Sequence, residues 1–85
     1  MPKVKLFANL RKAAGSKLIS IEGLNIHQVV LGLATQYPAT AIYLTENGHL
    51  QPKVIITING QTINDLDMQL TEQDEIAIFP PIGGG

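Results

Sequence analysis

The sequence predicts an α+β domain in which one long amphipathic helix crosses a small β-sheet. Three observations predict it: a pair of extended segments before the helix, an apolar i, i+3, i+4, i+7 spacing from Ile26 to Tyr37, and three further extended segments after it. The chain has 85 residues, 45% of them hydrophobic, which suits one core and one domain. Cysteine is absent, so packing alone must hold the fold.

Lys3 to Ala8 alternates basic and apolar residues and then turns wholly apolar, the pattern of a half-buried strand. Asn9-Leu10-Arg11-Lys12-Ala13-Ala14-Gly15 predicts a short helical turn closed by glycine, followed by the loop residue Ser16. Lys17 to Ile21 is a second strand, spaced to pair with the first through a wide connection. The main helix carries Ile26, Val29, Val30, Leu33, Ala34 and Tyr37 on one face. Asn25 is its N-cap, with Gln28 placed for a capping box, and Pro38 blocks its continuation. Gly32 weakens the middle of that helix by roughly 1 kcal/mol relative to alanine.

Ala39 to Leu50 reads either as a loop or as a short helix through Ala41 and Leu44, with a turn at Asn47-Gly48. Val54 to Ile58 is a strand closed by Asn59-Gly60, a strong hairpin signal, after which Gln61-Thr62-Ile63 can pair back. Thr71 to Asp74 is a turn and Glu75 to Phe79 the last strand, stopped by Pro80-Pro81.

Composition excludes several kinds of chemistry. Without cysteine there is no side-chain thiolate, persulfide or zinc ribbon. A net charge of −1 argues against electrostatic capture by nucleic acid or an anionic membrane. No apolar run approaches the roughly 18 residues that span a bilayer. Met1-Pro2-Lys3-Val4-Lys5 lacks the apolar stretch of a signal peptide, so a cytoplasmic location is expected. His27 and His49 have no spaced second ligand, so no metal site is expected. Asp65, Asp67, Asp74 and Glu75 sit in or beside turns, where carboxylates cap backbone groups. Ser16 and Ser20 lack a nucleophile-elbow context.

The tail, Pro80-Pro81-Ile82-Gly83-Gly84-Gly85, departs from globular composition. Two prolines favour an extended segment, and six residues reach about 20 Å. Three glycines make a tip thin enough to enter a narrow tunnel in another protein. Its terminal carboxylate is ionised at neutral pH and needs activation; adenylation would turn it into a mixed anhydride open to sulfur or an amine. A linker scar or a passive chain end is the competing account of the same residues.

Two segments carry a resemblance. Val4-Lys5-Leu6-Phe7-Ala8-Asn9-Leu10-Arg11-Lys12-Ala13-Ala14-Gly15 and Leu70-Thr71-Glu72-Gln73-Asp74-Glu75-Ile76-Ala77-Ile78-Phe79-Pro80-Pro81-Ile82-Gly83-Gly84-Gly85 are similar to the opening and closing of the MoaD/ThiS ubiquitin-like sulfur carriers, in particular the MoaD-type small subunits of molybdopterin synthase. The Asn59-Gly60 turn fits as well, and the likeness is weakest over Ala39 to Lys53. The resemblance implies a β-grasp (ubiquitin-like) fold, a mixed sheet of about five strands on one main helix, with the domain over 1–79 and an extended flexible tail over 80–85.

It also implies a carrier rather than an enzyme, in which Gly85 is adenylated and then converted to a thiocarboxylate. The implied partners are an E1-like adenylyltransferase (MoeB-type) that uses ATP, a sulfur donor protein, and the MoaE-type large subunit, whose side chains perform the transfer to the pterin precursor. No cofactor is bound by the chain itself. Gly84 and Gly85 match the family's diglycine, with Gly83, Pro81 and Pro80 completing the recognised tail. Phe7 and Phe79 match apolar partner-facing positions, next to each other if the first and last strands are neighbours. Gln73 departs from the family by standing where glycine is common, and Gly83 adds a third glycine.

Some readings stay open at this point. Phe7 and Phe79 are either core residues or part of an exposed patch. Lys3, Lys5, Arg11, Lys12 and Lys17 face Asp65, Asp67, Glu72, Asp74 and Glu75 either as cross-strand pairs or, at Arg11 and Lys12, as a dock for an acidic partner. A related carrier for thiamine or another metabolite, a protein modifier, and a non-covalent β-grasp binding module are the alternatives for function.

Overall fold

The alternation in Lys3–Leu6 becomes strand β1 in the computed structural model, which describes residues 1–81, with Val4 and Leu6 buried and the lysines exposed. The strand stops at Leu6, short of the expected Ala8. Ala8 has φ 51 and turns the chain into helix α1 (Ala8–Ala14), while the Leu10 N–H donates to the Phe7 carbonyl at 3.1 Å. The expected single turn is therefore a seven-residue helix. Gly15 ends it at φ 77, its N–H donating to the Arg11 carbonyl at 2.9 Å, as a glycine C-cap should. Strand β2 (Leu18–Ser20) then pairs antiparallel with β1.

Helix α2 (Ile26–Gln36) starts at Asn25, whose side chain accepts from the Gln28 N–H at 2.9 Å. The reciprocal bond differs from a capping box by one residue: Gln28 Oε1 accepts from the Leu24 N–H at 2.8 Å, not from Asn25. The Leu24 carbonyl meanwhile accepts from the Leu70 N–H at 2.8 Å, so the entry to α2 is tied to the far end of the chain. Ile26, Val29, Val30 and Leu33 form the buried face.

As expected, Pro38 blocks the continuation of α2, which ends at Gln36. It opens a 3-10 turn (Pro38–Thr40) that runs into helix α3 (Ala41–Leu44), because a proline at a first helical position gives up no needed donor. Thr40 is fully buried, and its hydroxyl donates to the Tyr37 carbonyl at 2.7 Å, the same oxygen that accepts the Thr40 N–H at 2.9 Å, so the buried hydroxyl has its partner. Asn47-Gly48 closes a small hairpin of β3 (Thr45–Glu46) and β4 (His49–Leu50), where the sequence predicts only a turn.

Strands β5 (Ile55–Ile58) and β6 (Gln61–Thr62) flank Asn59-Gly60, and β7 (Glu75–Phe79) closes the sheet. The order is β2-β1-β7-β5-β6, with β1 and β7 parallel and the other pairs antiparallel. A parallel central pair needs a long crossover, and here almost the whole domain lies between the two strands. This is the β-grasp arrangement. The core joins Val4, Leu6, Ile56, Ile58, Ile76 and Ile78 of the sheet to the buried face of α2.

Gly32 has a purpose that its helix propensity hides. A Cβ built there would lie 3.0 Å from Cγ2 of Ile21, a fully buried side chain, so glycine lets α2 approach the end of β2. The departure at Gln73 is also resolved. Gln73 is not among the residues with positive φ, and the turn is instead held by the Asp74 carboxylate, which accepts from the Thr71 N–H at 2.9 Å.

Candidate docking face and tail exit

Alternation along each strand gives the sheet an inner face against α2 and an outer face open to solvent. Cross-strand register sets the outer residues in rows. Leu18 lies opposite Lys5, Lys5 opposite Ala77, and Ala77 opposite Thr57; in the next row Phe79 lies opposite Ile55. Phe7, just beyond β1, reaches the same row: its ring stacks on Phe79 with centroids 4.4 Å apart and planes 14° apart. Phe7, Leu18 and Ile55 are 37%, 44% and 48% exposed, which takes them out of the core and makes an apolar patch around the aromatic pair.

The open choice for the two phenylalanines is thereby decided by geometry: they are outside the buried core and packed on each other. Ile55 and Leu18 were not anticipated as members of this patch. The signal was available in the parity of Val54 to Ile58, since burying Val54, Ile56 and Ile58 forces Ile55 outward. A run that is apolar at nearly every position conceals that parity.

A shallow depression of about 300 Å³ beside Phe7 is lined by Lys5, Leu6, Arg11, Lys17 and Leu18, so the structure brings Arg11 to the edge of the aromatic pair. Lys5 Nζ lies 3.6 Å from Glu75 Oε1, with both side chains more than half exposed. Such a pair contributes under about 1 kcal/mol, and it realises the cross-strand account for this lysine. Among the described residues, Arg11 and Lys17 make no ion pair.

Beyond Phe79 the chain is still packed. Pro80 is buried and Pro81 half-buried, so the body of the protein holds at least one residue of the segment expected as tail. Gly83, Gly84 and Gly85, and the expectation of a flexible end, lie outside the described residues.

The opposite end of the sheet carries a polar clasp. The Asn59 side chain donates to Asp74 Oδ1 at 3.0 Å and accepts from the Glu75 N–H at 2.9 Å. The hydrogen bond from the Thr71 N–H, helped by the one from Asn59, holds the Asp74 carboxyl below its ordinary value. Asp65 likewise accepts from the Asp67 N–H at 3.0 Å, the turn-capping role expected of it. His27 Nε2 is 3.5 Å from Asp67 Oδ1 in an exposed pair. Among the described residues no cluster of three His, Asp or Glu could hold a metal, and no helix is long and apolar enough to cross a membrane.

The ThiS family model matches residues 4–85. The chain belongs to the ThiS family. Two relatives align over essentially their full lengths. The molybdopterin synthase sulfur carrier subunit of Escherichia coli is 34% identical over 92 residues, covering 100% of both chains. Small archaeal modifier protein 3 of Haloferax volcanii is 29% identical over 89 residues, covering 98% of this chain and 97% of the relative. The solution structure of small archaeal modifier protein 1 from Methanosarcina acetivorans superposes with a TM-score of 0.89 at 38% identity, covering 99% of this chain and 95% of that one. This ThiS-family protein is thus a ubiquitin-like member of a group that holds both sulfur carriers and protein modifiers.

Proposed function

We propose that the protein is a sulfur carrier that serves molybdopterin synthesis in the cytoplasm through the carboxylate of Gly85. In the first step a carboxylate oxygen attacks the α-phosphorus of ATP on an E1-like, MoeB-type enzyme, and pyrophosphate leaves. Hydrosulfide then attacks the acyl carbon and expels AMP, leaving a thiocarboxylate. Where a donor protein presents the sulfur as a persulfide, the acyl disulfide that forms is cleaved by a thiol reductant, which takes up the donor's sulfur as a disulfide and releases the thiocarboxylate. The charged tail enters a MoaE-type large subunit, whose side chains direct sulfur onto the pterin precursor. The chain needs no cofactor of its own; ATP belongs to the activating enzyme.

The observation that carries this reading is the position of β7. It is the middle strand of five, flanked by β1 and β5, and it hands the chain to Pro80-Pro81 directly beside the Phe7–Phe79 stack. A partner that grips the outer face through Phe7, Phe79 and Arg11 therefore has the tail emerging next to it. Four residues beyond Pro81 reach about 14 Å when extended, far enough to deliver the terminus into a partner's active site. Gly83, Gly84 and Gly85 offer no side chain to obstruct that path. The end-to-end likeness to the Escherichia coli carrier subunit supports molybdopterin as the destination.

A second reading has its own support in the likeness to the two small archaeal modifier proteins. In that reading the same activated carboxylate is attacked by a lysine amine of another protein, forming an isopeptide bond.

Intact mass after incubation with ATP, sulfide and a candidate E1-like enzyme tests the shared step. A gain equal to replacing one oxygen by sulfur, lost on deleting Gly84 and Gly85 from a chain that stays folded, supports the carrier. Sulfur transfer to the precursor on adding a large subunit supports molybdopterin; conjugates on lysine without sulfide support the modifier. An unchanged mass with several active E1-like enzymes overturns both and favours a non-covalent binding module.

A further inference from the structure

The sequence contains two Asn-Gly turns, and the fold treats them differently. Their backbones match: φ is 54 and 81 at Asn47-Gly48, and 52 and 86 at Asn59-Gly60, both central residues positive as tight hairpin turns require. Both glycines are open, with nothing near the place a Cβ would occupy. The asparagine side chains differ. Asn59 is held at both ends of its amide, by Asp74 and by the Glu75 N–H. Asn47 is exposed and makes no side-chain hydrogen bond among the described residues.

The surrounding strands differ as well. Asn59 joins β5 and β6 within the five-stranded sheet, whereas Asn47 joins two strands of two residues each that form a separate sheet. An isolated two-stranded hairpin of that length is marginal and opens locally at little cost.

We propose that Asn47 is a site of spontaneous deamidation and isoaspartate formation, and that the clasp on Asn59 protects the second turn. The main-chain nitrogen of Gly48 attacks the side-chain amide carbon of Asn47. A new C–N bond forms, the bond to the amide NH₂ breaks, and ammonia leaves with the proton from the Gly48 nitrogen, closing a succinimide ring. Water then opens the ring at either carbonyl, giving aspartate or isoaspartate, with no change of oxidation state. The attack requires the Asn47 side chain to swing over the glycine nitrogen, a movement denied to Asn59 while both of its hydrogen bonds persist.

The product has structural consequences. Either outcome places a carboxylate beside Glu46, and isoaspartate adds a main-chain carbon to a turn whose length fixes the register of β3 and β4. The cavity of about 210 Å³ between this hairpin and α2, lined by Thr45 and Gly48 on one side and His27 and Leu31 on the other, changes shape with it. The five-stranded sheet and its outer face are untouched, so this chemistry stands apart from the carrier reading.

The test is site-resolved peptide mass mapping of the full chain held in mildly alkaline buffer, with a parallel sample in denaturant. In the folded protein Asn47 is expected to convert about tenfold faster than Asn59, whereas in denaturant the two rates converge. Asp74→Ala, which removes one hydrogen bond from Asn59, should raise the Asn59 rate several-fold without changing that of Asn47. Equal conversion of both sites in the folded chain overturns the proposal, and so does a preference for Asn47 that survives in denaturant. The denaturant comparison decides the matter even if Asp74→Ala folds poorly.

Discussion

Phe7 and Phe79 come from opposite ends of the chain and stack at 4.4 Å on the outer face of the sheet. Parallel pairing of β1 with β7 sets Leu6 opposite Ile78, and the residue after each is a phenylalanine. The pair adds the strength of an aromatic contact to a sheet whose core lies on the other side.

Phe79→Ala therefore separates docking from folding. The stack is worth about 0.5–1.5 kcal/mol beyond buried area, a fraction of the 5–15 kcal/mol typical of a domain. The variant should stay folded, with a lower urea midpoint and an unchanged m value. Capture by an E1-like enzyme or a large subunit should weaken by tenfold or more, roughly the loss of one interface anchor. Unaltered affinity in titration calorimetry would remove the aromatic pair from the docking face.

Ala8 holds a positive φ at the turn that carries the chain out of β1, a conformation favouring glycine. A left-handed alanine costs roughly 1–2 kcal/mol, while glycine gives back about 0.4–1 kcal/mol through its looser unfolded chain. Ala8→Gly should then gain about 0–1.6 kcal/mol, and Ala8→Val should lose about 2 kcal/mol. Urea midpoints of the two variants check this. A stable Ala8→Val would mean that the turn relaxes to negative φ.

The sheet and main helix were legible in the sequence because alternation and helical spacing are local patterns. Asn25, Gly15 and Asn59-Gly60 announced their caps and turns through side chains suited to those positions. Ala8 was not legible, since alanine gives no warning of a positive φ imposed by tertiary packing. Pro38 was legible as the end of α2, but the segment beyond it stayed open between loop and short helix, because proline marks both a stop and a first helical position. Of the candidate docking face, Phe7 and Phe79 came from the family resemblance and Arg11 from the clustering of basic residues, whereas Ile55 and Leu18 needed the register between strands.

Gly32→Ala opposes two effects of similar size. Helix propensity favours alanine by roughly 1 kcal/mol. The added methyl would meet Ile21 Cγ2 at 3.0 Å, against a side chain with no exposed surface into which to retreat. Overpacking of that kind costs about 1–3 kcal/mol, so the net expectation is a loss of about 1 kcal/mol in denaturant unfolding. A stabilised variant would show that α2 can lift from β2 freely.

Asp74 gives the fold a dependence on acid. The hydrogen bond from the Thr71 N–H, followed by the one from Asn59, lowers its pKa from the ordinary 3.8. A carboxyl with a depressed folded pKa contributes stability that is complete above the unfolded value and disappears as pH falls through the folded one. The contribution is therefore whole at neutral pH and is lost below about pH 4. Asp74→Asn keeps the size but removes the charge and one of the two accepting oxygens, so its melting temperature should lie below the wild type at pH 7. The gap should close on acidification, by a few degrees at most because the group is largely solvated. A gap that stays constant across the acid range would show that the Asp74 charge contributes nothing to the clasp.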